Sequence, residues 1–105
     1  MASERTVKEQ IKIWVAQVNR TIFKQGPHPD NPRLWIGNGR KYIKIWEPLG
    51  IFAFVRASDG AILLPKNRKG PALNHIRGSI YDSDVTKAVT RWGVRYMDDP
   101  QLGGL

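Results

Sequence analysis

The sequence predicts an α+β fold: a three- to four-stranded antiparallel meander with an N-terminal amphipathic helix and a short C-terminal helix. Three observations lead there. Apolar residues between Val7 and Ile22 recur at helical spacing behind a capping signal, and residues 34–65 run as short apolar-rich stretches punctuated by glycine-containing turns. Past a basic stretch, Val85, Ala88, Val89 and Trp92 return to helical spacing. The 105 residues suit one domain over 1–105, and 41% hydrophobic with 25% charged residues is the composition of a chain that buries a core.

The first helix, expected over residues 6–25, opens on Thr6 and Glu9, a capping box whose hydroxyl and carboxylate each accept an otherwise orphan backbone N–H. Val7, Ile11, Trp14, Val15, Val18 and Ile22 form its buried stripe, Lys8, Lys12, Gln17, Arg20 and Lys24 its wet face, and Gly26-Pro27 its stop. GPHPDNPR (26–33) holds three prolines and reads as a loop. The meander then places strands at 34–36, 40–46, 51–57 and 61–64. Gly37-Asn38-Gly39, Glu47-Pro48-Leu49-Gly50 and Ser58-Asp59-Gly60 supply its turns. Residues 66–76 read as an exposed basic loop, 76–81 as a short extended piece, and 84–93 as the second helix, capped by Asp82 or Asp84 and stopped by Gly93. An edge strand at 94–97 and a frayed tail at 98–105 complete the expectation.

Net charge is +8 and uneven: residues 33–77 hold nine basic and two acidic groups, while the flanking segments are close to balanced. Two basic clusters stand out in that block. In the expected strand 40–46, side chains alternate, so Lys41, Ile43 and Ile45 point one way and Tyr42, Lys44 and Trp46 the other. A row of two rings around a cation suits nucleic acid, since rings stack on bases while the ammonium meets phosphate. The same row also suits a core, with the rings packed under a helix and Lys44 reaching past them. The sequence leaves both open. The second cluster, Lys66, Arg68 and Lys69, packs three cations into four residues, and with Arg40, Lys41 and Arg56 it makes a candidate phosphate-binding surface.

Other chemistries find little footing. With no cysteine, disulfides, thiolate metal sites and thiol nucleophiles drop out together. His28 and His75 stand apart from any nucleophile or metal-ligand spacing, and the central acids Glu47 and Asp59 both sit at turns. No catalytic residue, metal or cofactor is therefore expected. The polar N-terminus and the absence of any apolar run of about 18 residues argue against a membrane protein.

GRKYIKI (39–45), FAFVRASDGAILLP (52–65), KNRKGPA (66–72), RGSIYDSD (77–84) and WGVRYM (92–97) resemble a group of small phage and viral proteins. These share a KYxKI strand, an aromatic strand ending in an acidic-glycine turn, a basic proline-containing loop, an RGxIxD box and a final GVxY. The resemblance covers roughly residues 39–97 and omits the N-terminal helix. It implies a viral or virus-derived origin, hence host cytoplasm or virion interior, and carries no function across. Within the box, Gly78 would allow close backbone approach, and Arg77 would clamp Asp82 or Asp84 in preference to a phosphate.

The expectation is thus a small non-enzymatic nucleic-acid-binding accessory protein that contacts phosphate through Arg40, Lys41, Lys44, Arg56, Lys66, Arg68 and Lys69. Tyr42 and Trp46 are its candidate stacking residues. The alternative is a virion structural or protein-interaction component, including an inhibitor of a host enzyme, with homo-oligomers reached by strand addition at an open edge.

Overall fold

The computed structural model describes residues 6–26, 29–67 and 69–94, and only the backbone of residues 74 and 75. Helix α1 spans Val7–Thr21, with both hydrogen bonds of the Thr6/Glu9 capping box in place at 3.2 Å. Ile11, Trp14, Val15 and Val18 are buried on one stripe, while Lys8, Lys12 and Arg20 are exposed. The helix ends several residues before Gly26. Lys24 takes a left-handed φ of 58°, and Phe23 leaves the helical path to set its ring 6.1 Å from that of Phe52, edge to face.

Five strands form one antiparallel sheet in chain order: β1 (Trp35–Ile36), β2 (Tyr42–Glu47), β3 (Gly50–Arg56), β4 (Ala61–Asn67) and β5 (Gly70–Ser79). The α+β class and the meander stand as expected, with one more strand than the sequence predicts. That strand comes from the stretch read as a basic loop. Instead of a loop over 66–76, β4 runs on to Asn67, whose Oδ1 accepts the backbone N–H groups of Lys69 and Gly70 and reverses the chain into β5. Register breaks at three places along β4–β5, and Pro65 faces Pro71, so no clean alternation survives to be read.

The C-terminal helix is absent. Residues Val85–Lys87 make a single 3₁₀ turn, capped by Asp84 accepting from Thr86 N–H at 2.9 Å, and the chain then forms a hairpin of β6 (Val89–Thr90) and β7 (Gly93–Val94). The segment between Asp84 and Gly93 is too short to hold a helix by propensity alone, and Gly93, at φ 131°, pairs it back on itself as a hairpin instead. Val85, Ala88 and Val89 are buried as their spacing suggests, but Trp92 sits at the hairpin tip, 86% exposed. The rest of the expected 94–97 strand and the 98–105 tail lie outside the described residues.

The main core lies on one face of the sheet, where α1 and the 85–94 segment pack over Ile43, Ile45, Ala53, Val55 and Ile62. Two buried amides tie α1 down. Asn19 donates to Leu34 O at 3.2 Å and accepts from Leu34 N–H at 2.9 Å, and Gln10 donates to Ile80 O at 3.0 Å. Gly78 faces the 3₁₀ segment so closely that a Cβ would lie 2.7 Å from Ala88 Cβ, the close approach its position in the RGSIYDSD box suggested. Among the described residues, no helix is long and apolar enough to cross a membrane.

Candidate nucleic-acid interface

The strand β2 alternates cleanly, with Ile43 and Ile45 buried beneath α1 and Tyr42, Lys44 and Trp46 half-buried on the opposite, far face of the sheet. This decides the question that alternation left open. Trp14 and the isoleucine row belong to one buried cluster, and the ring row lies on the opposite face. A lysine ammonium caps each ring: Lys41 Nζ lies 5.7 Å from the Tyr42 centroid and Lys44 Nζ lies 6.0 Å from that of Trp46.

Trp46 is seated by its neighbours. Gly37 donates its backbone N–H to Lys44 O at 2.8 Å, and a Cβ on Gly37 would collide with Nε1 and Cδ1 of the Trp46 indole. Gly37 thus serves as bare backbone under a ring, where the sequence suggested a turn glycine. The register also pairs Trp46 with Trp35, so a second indole, 41% exposed, projects from the edge strand onto the same face. Trp35 is not among the sequence-predicted residues because its place opposite Trp46 depends on that register. The available signal was its alternation with Leu34 and Ile36.

Further along the far face lie Phe54 and Leu63, paired across β3–β4 and buried outside the main core, then Arg56, cross-strand from Tyr42. Arg56 is not a free cation. It holds Asp59 by two bonds, Nε to Oδ1 at 3.0 Å and Nη2 to Oδ2 at 2.7 Å, while Ala61 N–H donates to the same carboxylate. Hydrogen bonding to Arg56 lowers the Asp59 pKa below its ordinary value. A depressed carboxyl contributes above its unfolded pKa and loses that contribution as pH falls through its folded one, so the pair is ionised at neutral pH. Arg56 is therefore a weaker phosphate ligand than the sequence suggests. The other central carboxylate, Glu47, pairs with Arg33 at 3.5 Å, whose guanidinium also lies over Phe23.

With both acids spent on arginines, Arg40, Lys41, Lys44, Lys66 and Lys69 have no ion pair among the described residues. Arg68 lies outside them. The five are not clustered side by side. Arg40 and Lys41 precede β2, Lys44 is at its middle, and Lys66 and Lys69 occupy the β4–β5 tip, toward the Trp46 end of the sheet. From Lys41 to Trp46 alone the strand rises roughly 17 Å. The cations form two groups joined by Lys44 and the ring row.

The expected clamp from Arg77 is not formed. Asp82 instead accepts from Ser79 N–H at 3.0 Å, and Nε and Nη1 of Arg77 are shut off from solvent without an acceptor. Arg77→Met keeps the apolar stem and removes those orphan donors, so chemical denaturation should show stability unchanged or raised. A loss above about 1 kcal/mol would show that the guanidinium is satisfied in solution.

No group of three or more His, Asp or Glu side chains gathers where a metal could bind, among the described residues. An open groove of about 550 Å³ between α1 and β1, lined by Val15, Ala16, Leu34, Trp35 and Ile36 with Lys12 and Arg20, contains none of the site residues expected from the sequence. No protein-family model, curated protein or solved structure matches the chain.

Proposed function

We propose that this chain is a small, non-enzymatic nucleic-acid-binding accessory protein of viral origin that holds a phosphate backbone across the far face of its sheet. The observation that carries this reading is the row Tyr42, Lys44, Trp46. It lies on the face away from α1, beside cations with no described carboxylate to neutralise them. Lys44 and the exposed cations at the two ends, Arg40 with Lys41 and Lys66 with Lys69, meet phosphates, and the rings meet bases. Arg68 belongs to the second group by sequence. Arg56, tied to Asp59, positions the β3–β4 turn and contributes less.

Titration of labelled mixed-sequence oligonucleotides from low to physiological salt tests the proposal by anisotropy. Affinity should fall with a log–log slope of roughly 2 to 4, as expected when about three to five phosphates are neutralised. A protein that forms no complex at low salt does not have this function.

A second reading, a virion structural or protein-interaction component, is favoured by a different surface. Leu49 and Trp92, 93% and 86% exposed, line one cleft of about 390 Å³ with Arg33, Glu47 and Arg91. Large exposed apolar groups of this kind mark protein contacts. Under that reading salt has little effect on complex formation, and removing both side chains abolishes it.

A further inference from the structure

The far face allows the proposed ligand to be narrowed, an inference that rests on the nucleic-acid reading above: we infer that the chain prefers single-stranded nucleic acid, with Trp35 and Trp46 as a shared stacking platform. Three features carry it. First, Trp35 and Trp46 are direct cross-strand partners, which puts their Cβ atoms about 5 Å apart on one face. Each of the two indoles is a stacking surface for an unpaired base. Second, Trp35 belongs to a two-residue strand at the end of the sheet order, so among the described residues no further strand flanks it, and 41% of its surface is exposed. Third, the ammonium of Lys44 lies over the Trp46 ring, 6.0 Å from its centroid, within reach of the backbone of a nucleotide stacked there.

These features favour a single strand over a duplex for a geometric reason. Paired bases keep their faces stacked inside the double helix, and duplex readout needs a helix or a narrow ribbon inside a groove. A ring lying on a broad sheet has access only to unpaired bases. The lysine caps do not prevent this. An exposed cation–π contact is the weaker interaction and base–aromatic stacking the stronger, so the flexible ammonium yields the ring and moves to the backbone. Tyr42 lies four residues from Trp46, roughly 13 Å along the strand, and provides a second stacking point for the same strand.

The test compares a mixed-sequence single strand with a duplex of equal length, at low salt, on the full chain. The wild-type chain should bind the single strand at least tenfold more tightly, with quenching of tryptophan emission. Trp35→Leu, which keeps apolar bulk at an exposed position, should weaken single-strand binding by roughly tenfold, leave duplex binding unchanged, and be rescued by Trp35→Phe. Equal affinity for the two ligands overturns the inference while leaving the basic-surface reading intact. So does a Trp35→Leu variant with unaltered single-strand affinity when Lys66→Glu with Lys69→Glu weakens it. Failure to bind either ligand removes both.

Discussion

Reversing Lys41, Lys66 and Lys69 together to glutamate should weaken oligonucleotide binding at low salt by roughly a hundredfold and flatten the log–log salt slope by about 2, because three phosphates lose their partners. All three side chains are exposed and have no ion pair among the described residues, so the fold has little to lose. The β4–β5 turn is held by Asn67 Oδ1, not by the lysines beside it. The melting temperature should therefore stay within a few degrees of wild type. Splitting the variant locates the strand on the sheet. A ligand lying along the far face touches both ends, and the Lys41 reversal and the Lys66/Lys69 reversal should each lower affinity. If only one of them matters, the footprint is confined to that end. A triple variant with wild-type affinity would move the whole interaction off this surface.

Replacing Asn19 by leucine should cost roughly 2–4 kcal/mol, because one amide satisfies both backbone groups of Leu34, and each orphaned buried group costs about 1–3 kcal/mol. Leu34 is 1% exposed, so water does not readily replace the amide. In a domain of this size such a loss lowers the melting temperature by roughly 10–20 °C. The effect reaches the candidate site through the chain, since Leu34 immediately precedes Trp35. With β1 loosened from α1, Trp35 is no longer held opposite Trp46, and single-strand affinity should fall beyond what the unfolded fraction explains. Urea denaturation measures the first effect and binding at a temperature well below the transition the second. A stability loss under about 1 kcal/mol would mean that solvent reaches Leu34 and that β1 is held by other contacts.

The elements that could be read from the chain were those whose causes lie within a few residues. The Thr6/Glu9 box, the stripe from Ile11 to Val18, the turns at Glu47–Gly50 and Ser58–Gly60 and the two-residue period of β2 all follow from backbone donors, proline and glycine geometry, or side-chain alternation. The second helix misled because the spacing of Val85, Ala88 and Val89 fits a helix as well as a buried 3₁₀ turn and hairpin. The shortness of the segment and the pairing of Val89 with Val94 decided between them. The basic loop misled for the opposite reason. Bulges and the facing prolines erased the period of β5 although its backbone pairs with β4.

The candidate site divides along the same line. That Tyr42, Lys44 and Trp46 share one face follows from alternation alone, as does the concentration of positive charge in residues 33–77. Which face α1 covers, which tryptophan lies opposite Trp46, that Arg56 is neutralised by Asp59 and that the cations fall into two groups instead of one cluster are matters of register and packing. Those are set by contacts between residues far apart in the chain, where burial of the wholly apolar row Ile43 and Ile45 with α1 outweighs any local preference. A strand carries its own alternation wherever it goes, but it does not carry the identity of its neighbours.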